Sequence, residues 1–240
     1  MAQINNNQKN IVEMFDKIAK TYDVANRILS LGIDTIWRKK ACNIAFSFYG
    51  KTKIDKIVDV ACGTGDLMID WETVGASNAI SISQIIGVDP SVGMMEVGKD
   101  KIPHRTFVEG SAELLPMDNN SVDFVSISYG IRNVVKRKEA LSQFSRVLKK
   151  DGLCVILEFT KNEKDNFGAK ISKFYLNNIM PIIGGFISSN KDAYMYLPQS
   201  IENFITTRQL CDELKIAKLE PIFVKSYSLN MSTTIIARKI

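Results

Sequence analysis

The stretch Lys56-Ile57-Val58-Asp59-Val60-Ala61-Cys62-Gly63-Thr64-Gly65-Asp66 constrains this chain more than any other. Ile57 to Val60 reads as a short buried strand, apolar apart from Asp59. Gly63 and Gly65 predict a tight turn into a helix starting near Asp66. Glycines at such a turn let backbone approach a ligand with no side chain in the way. The helix N-terminus beyond them offers unpaired N–H groups and a partial positive charge. Roughly two dozen residues later, a second strand, Ile85-Ile86-Gly87-Val88, ends in Asp89. An acid there is placed to accept two hydrogen bonds from a ribose diol. Strand, glycine turn, helix, strand and acid make the nucleoside-binding half of an α/β domain.

The missing parts narrow the nucleoside. A dinucleotide fingerprint wants a third glycine for close helix–sheet packing, and Met68 stands in its place. With Asp59 inside the first strand, the pattern Asp-x-x-x-Gly-x-Gly resembles motif I of class I S-adenosylmethionine-dependent methyltransferases. The resemblance implies a Rossmann-like, mostly parallel seven-stranded sheet with helices on both faces and a C-terminal antiparallel strand. It also puts the backbone around Gly63 and Gly65 beside the methionine part of the cofactor, and Asp89 at the ribose. A dehydrogenase is the weaker reading.

Composition excludes more than it assigns. The 240 residues suit one domain with additions. A net charge of +5, spread along the chain, does not argue for nucleic acid. Cys42, Cys62, Cys154 and Cys211 are scattered, without a C-x-x-C, and His104 is the only histidine, in a polar turn. Neither a zinc site nor a histidine-assisted nucleophile is expected, and free cysteines suit a reducing cytosol. The first residues show no signal-peptide pattern, and no apolar run is long enough to span a bilayer.

In chain order, residues to about Lys9 are expected to be disordered. A first helix runs from Asn10 to about Lys20, a short segment carries Tyr22, Asp23, Ile28 and Leu29 to Gly32, and Asp34 caps a further helix ending at Gly50. Residues 1–50 thus read as a helical cover on the ligand side of the sheet, and 51–240 as the nucleoside-binding domain. In that domain, Asp66–Thr73 is helical, Gly75–Ser83 a loop, and Pro90-Ser91 opens a helix with Met94, Met95 and Val97. Strands are expected at Thr106–Glu109, Ser121–Ser128 and Leu153–Phe159, with a helix over Glu139–Lys149. An unusually apolar insertion occupies about 161–205, with Phe174 to Ile187 its richest part. Thr207 is expected to cap a helix, and Ile222–Ser226 with Thr233–Arg238 to form an antiparallel pair.

Narrower motifs follow. Ser126-Ile127-Ser128-Tyr129-Gly130-Ile131-Arg132-Asn133-Val134 closely resembles the S-[FY]-G-[IL]-R-N-V signature of the ubiquinone/menaquinone biosynthesis C-methyltransferases. So do Phe15-Asp16-Lys17-Ile18-Ala19-Lys20-Thr21-Tyr22-Asp23, Trp37-Arg38, Leu157-Glu158-Phe159 and Tyr196-Leu197-Pro198, over nearly the whole chain. Two departures stand out: Ser111-Ala112 replaces a common Asn-Ala, and a C-terminal Gly-rich turn with its histidine is absent. The resemblance implies S-adenosyl-L-methionine as cofactor, held by Asp59, Gly63, Thr64, Gly65, Asp89, Ser111, Ala112 and Ser128. It implies C-methylation of demethylmenaquinol to menaquinol, with the benzoquinol precursor of ubiquinone or another lipophilic acceptor as the alternative. The methyl donor is already activated, so that chemistry needs no metal. The acceptor carbon needs loss of a neighbouring phenol proton. Arg132 is the candidate to stabilise the phenolate, with a structural salt bridge at the strand end as its alternative role. Asn133 or Tyr129 is placed to orient the ring, and Tyr22 and Asp23 to close over the site, with Asp23 as the candidate base. A binding module that keeps the pocket and scaffolds a membrane complex is the non-enzyme alternative. The partners expected are a polyprenylated quinol and, through Phe174–Ile187, the inner face of a membrane touched peripherally from the cytoplasm. A homodimer is left open.

Overall fold

The computed structural model describes residues 6–161, 191–228 and 230–240. The segment Phe174–Ile187, expected to meet a membrane, lies outside them. Seven strands form one sheet: β1 (Lys53–Val60), β2 (Ser81–Asp89), β3 (Thr106–Glu109), β4 (Val122–Ser128), β5 (Leu148–Glu158), β6 (Leu219–Tyr227) and β7 (Ser232–Lys239). Their order is β3-β2-β1-β4-β5-β7-β6, parallel from β3 to β5, with β7 antiparallel to both neighbours. The chain moves outward on one side of β1 and then returns to β4 on its other side. Ligands of open α/β sheets bind at such a reversal, beyond the carboxyl ends of the strands. The sheet therefore places the site at the ends of β1 and β4.

Two helices precede the sheet, α1 (Asn6–Ser30) and α2 (Ile33–Tyr49). α1 is continuous, where the sequence predicts a break before Tyr22 and disorder up to Lys9. The reason is one unbroken buried phase: Met14, Ile18, Tyr22, Ala25 and Leu29 recur at helical spacing and pack with Ile201. Leu31 and Gly32, both left-handed, turn the chain into α2. Gly32, not Asp34, occupies the cap position. Asp34 is diverted to Arg27, Arg38 and Ser30, stronger partners than a free N–H. α2 packs Ala41, Cys42, Ala45 and Phe46 into the same core as Ile57, Trp71 and Phe124. It is thus part of the sheet's own packing, while α1 lies across the ligand end.

Helices α3 (Asp66–Ser77), α4 (Val92–Lys101) and α5 (Arg137–Val147) cover the parallel strands. α3 extends through Gly75 to Ser77, and β2 begins at Ser81, so the predicted loop is a short turn. Beyond the undescribed segment come α6 (Lys191–Glu202) and α7 (Thr207–Ile216). The cap of α7 is Thr206, one residue before the predicted one, reciprocated by Gln209 in a capping box.

The absent third glycine has a structural answer. Met68 is fully buried, and a Cβ on Gly87 of β2 would meet its Sδ at 2.7 Å and Cys62 Sγ at 2.6 Å. The close approach of helix and sheet is kept, with the glycine on the strand instead of the helix.

Candidate active site

Two adjoining cavities open where β1 and β4 end. The smaller, about 140 Å³, is walled by Asp89, Ser91, Met94, Ser111, Ala112 and Asn133. The larger, about 570 Å³, is walled by Asp59, Thr64, Trp37, Arg132, Phe159 and Tyr196, among others. Phe15, Tyr22, Ala61, Gly63, Ser128 and Tyr129 border both.

The turn after β1 is left-handed at Ala61, Gly63 and Gly65. Its backbone is tied to β2: the Gly63 N–H donates to one Asp89 carboxylate oxygen at 2.8 Å, and the Ser91 N–H to the other at 2.8 Å. Burial pushes the Asp89 carboxyl up to about 6, against those two hydrogen bonds and helped by Asp16. Each oxygen keeps acceptor capacity beyond its one N–H. Asp59 is buried beside it and accepts from Ser126 Oγ at 2.7 Å, which in turn receives the Trp71 indole N–H. Burial, with Asp89 nearby, raises Asp59 to about 7.

The two glycines differ in what they serve. Gly63 borders both cavities, and a Cβ there meets only Met94 Cε at 3.4 Å. Gly65 is on neither wall; a Cβ there would overlap Ile102 Cδ1 at 2.8 Å and crowd Phe107 Cζ at 3.1 Å. The sequence assigns both to the ligand, whereas the packing assigns Gly65 to the seat of α3. Gly65→Ala is expected to lose about 2–4 kcal/mol of stability through left-handed backbone and overpacking, and Gly63→Ala about 1 kcal/mol. Urea denaturation of the two variants checks this; a Gly65→Ala protein as stable as the parent would disprove the packing account.

Thr64 and Asp23 are joined. Thr64 Oγ1 donates to Asp23 at 2.6 Å, and the other Asp23 oxygen pairs with Lys101 at 2.7 Å. Asp23 is not on either cavity wall. The expected base is therefore a clamp that fixes α1 to the glycine turn and α4. Tyr22, by contrast, borders both cavities, and burial raises its phenol despite a hydrogen bond with Asn26 and the nearby Arg132 charge.

Arg132, in a short 3₁₀ turn (Ile131–Asn133) after β4, lines the larger cavity. Its Nη1 donates to Glu158 at 2.5 Å and to the Tyr129 carbonyl at 2.7 Å, and its Nε to Ser200 at 3.2 Å. The guanidinium also lies 5.6 Å from the centre of the Phe159 ring. Glu158, fully buried at the end of β5, is pushed up by burial even with Arg132 beside it. Asn133 accepts from the Tyr196 phenol at 3.0 Å. Tyr129 stacks on Phe159 at 4.6 Å, and Trp37 meets Phe159 edge-on. Ser128 Oγ is buried with no hydrogen-bond partner among the described residues, so the border of the two cavities holds an unanswered polar atom there.

Sequence reasoning missed a buried ionic cluster under the larger cavity. Arg38 reaches Asp34 at 2.6 Å, Asp66 at 3.0 Å and Asp70 at 2.7 Å. Arg27 adds contacts to Asp34 and Asp66, and Lys101 one to Asp66. The Asp34/Arg38 spacing of four on one helix was the one available signal.

The seven-stranded order, the glycine turn and the acid ending β2 define the class I S-adenosylmethionine-dependent methyltransferase fold. A solved S-adenosylmethionine-dependent methyltransferase from Thermotoga maritima shares it, with TM-score 0.63, 18% identity and coverage of 95% of this chain and 99% of that one. The [4+2]-cyclase SpnF shares it too, with TM-score 0.60, 17% identity and coverage of 84% and 80%. Fold alone therefore does not decide the chemistry. Sequence is more specific. The model of the ubiE/COQ5 methyltransferase family matches residues 2–239, and this chain belongs to that family. It is 52% identical over 233 residues to the ubiquinone/menaquinone biosynthesis C-methyltransferase UbiE of Campylobacter jejuni, covering 97% of this chain and 99% of that protein. It is 34% identical over 220 residues to the demethylmenaquinone methyltransferase of Thermotoga maritima, covering 90% and 92%. The chain is accordingly a methyltransferase that uses S-adenosylmethionine, with a role in quinone biosynthesis.

Proposed function

We propose that this protein transfers a methyl group to a ring carbon of a polyprenylated demethylmenaquinol, giving menaquinol, in peripheral contact with a membrane. The observation that carries the reading is the pairing of a small cavity at the buried Asp89 carboxylate with a large, aromatic-walled one at Arg132, meeting at Ser128. The relatives' names give the substrate class.

The residues present fit the cofactor. Asp89 has acceptor capacity for ribose hydroxyls, and Ser111-Ala112 would border the base. Ser128 Oγ, without a partner among the described residues, and the backbone at Gly63 would hold the remainder. When bound, S-adenosylmethionine supplies a methyl group already activated on sulfonium. The chain's own groups supply the rest. Trp37, Tyr129, Phe159 and Tyr196 offer flat apolar walls that exclude water from a quinol ring. Arg132, held by three hydrogen bonds, presents a fixed positive charge that favours a phenolate over a phenol. Tyr22 closes the boundary between the cavities, and Asn133 positions the Tyr196 phenol. Asp23 takes the positioning role described above.

The test is turnover of S-adenosylmethionine with a reduced short-chain demethylated naphthoquinol, beside the matching benzoquinol. Methylated naphthoquinol is the expected product; methylation of neither quinol overturns the reading. Asp89→Ala is expected to weaken cofactor binding by about 1–3 kcal/mol, roughly fivefold to 150-fold. An unchanged dissociation constant by calorimetry in a folded variant removes Asp89 from the site.

A further inference from the structure

The elbow between α1 and α2 carries an apolar patch that the core formed by the described residues does not use. Leu31 is 84% exposed, Val24 56% and Ile36 51%, with Ile28 and Ile33 also exposed. Scattered exposed apolar residues are ordinary, but a contiguous group marks a contact surface. These five are neighbours along the elbow. Val24 and Ile28 on α1 and Leu31 just past its end follow one another at helical spacing, Ile33 and Ile36 do so on α2, and Leu31-Gly32 is the turn between them.

Two further observations say what the patch meets. First, Leu31 and Ile33 also line the 570 Å³ cavity, so the patch is its rim. Second, charge is arranged behind the tip. Lys17 and Lys20 continue the Val24 stripe back along α1, and Lys39 and Lys40 follow Ile36 on α2, all four exposed. From Asp16 to Asn43 every acid is engaged: Asp16 by Ser91 and the Gly93 N–H, Asp23 by Thr64 and Lys101, and the buried Asp34 by Arg27 and Arg38. An apolar tip with cations set back from it is the pattern of a segment seated in an anionic lipid interface, with lysines at headgroup level.

We propose that the α1–α2 elbow is a lipid-docking surface, and that a membrane-held apolar acceptor enters the larger cavity over Leu31 and Ile33 without passing through water. The proposal rests on the reading of the acceptor as lipophilic. It adds a described surface to the membrane contact expected of Phe174–Ile187.

Val24→Asp/Ile36→Asp is the test, since neither side chain is on a cavity wall. With vesicles of phosphatidylcholine and phosphatidylglycerol, co-sedimentation is expected to fall about tenfold or more in the variant. Turnover of long-chain demethylated naphthoquinol held in those vesicles should fall in parallel. Turnover of the short-chain quinol in solution, and affinity for S-adenosylmethionine, should not change. Lys39→Glu/Lys40→Glu should weaken sedimentation on anionic vesicles and leave it unaltered on phosphatidylcholine alone. Sedimentation of the double aspartate variant equal to the parent's overturns the proposal. So does a change in its oligomeric state by ultracentrifugation at unchanged vesicle binding, because the patch then joins two copies of the chain. A parent protein inactive on the soluble quinol counts against the functional reading, while sedimentation still decides the surface.

Discussion

Glu158→Ala is expected to cost about 3–5 kcal/mol of folding stability, because it leaves the Arg132 guanidinium buried with its charge unpaired. The Arg132 side chain is 6% exposed and that of Glu158 not exposed at all, so water has little access to the lost contact. Replacing both residues by apolar ones of similar size is a different experiment. Buried ion pairs give little net stability over well-packed hydrophobic residues, so Arg132→Met/Glu158→Leu should regain most of the loss in a denaturant titration. Turnover should not return with it. If Arg132 stabilises charge on the acceptor, the folded double variant remains about a hundredfold or more below the parent. A double variant that is both stable and active would reduce the pair to a brace between the ends of β4 and β5. A Glu158→Ala protein within about 1 kcal/mol of the parent would mean the guanidinium finds solvent after all.

Arg38→Ala should be comparably severe for another reason. It strips the shared cation from Asp34, Asp66 and Asp70, and Asp70 has no other ion pair among the described residues. Burial already holds the Asp70 carboxyl above its ordinary range with Arg38 present. Removing the guanidinium leaves repelling carboxylates between α2 and α3, at an expected cost of about 3–5 kcal/mol. In a chain of this length that is a fall in melting temperature on the order of 10 °C. Arg38→Lys should recover only part of it, since one ammonium does not reproduce a planar fork that serves three acids. Melting temperatures of the two variants by circular dichroism decide this. A fall of only a degree or two in Arg38→Ala would show that Arg27 and Lys101 can hold the acids alone.

Much of this was legible in sequence because it is local. Apolar runs bounded by turn residues marked the parallel strands, and Asp59, the two glycines and Asp89 marked the end of the sheet where the site lies. The misses are tertiary. Asp34 has the chemistry of a cap, and only the arrival of Arg27 and Arg38 shows why it does not act as one. Asp23 has the chemistry of a base, and only the fold brings Lys101 and Thr64 to its two oxygens. The motif places Arg132 near the acceptor but is silent about Glu158, from another strand. Gly87 looks like any strand glycine until Met68 is found pressed against it. The continuity of α1 was available: the phase of Ile18, Tyr22, Ala25 and Leu29 never breaks, and the polar Thr21 and Asp23 simply lie on its other faces.

The turn at the end of β1 and the turn at the end of β4 touch each other. Ala61 and Tyr129 are both left-handed, and a Cβ built on Gly130 would stand 2.7 Å from the Ala61 Cβ. Glycine at one position and a single methyl at the other is as much as the gap admits. A Cβ at Gly130 enters only if the Ala61 methyl yields. In relatives that keep this geometry, a side chain at the Gly130 position is therefore expected only where the Ala61 methyl is lost, although the two positions are far apart in the chain and belong to different motifs.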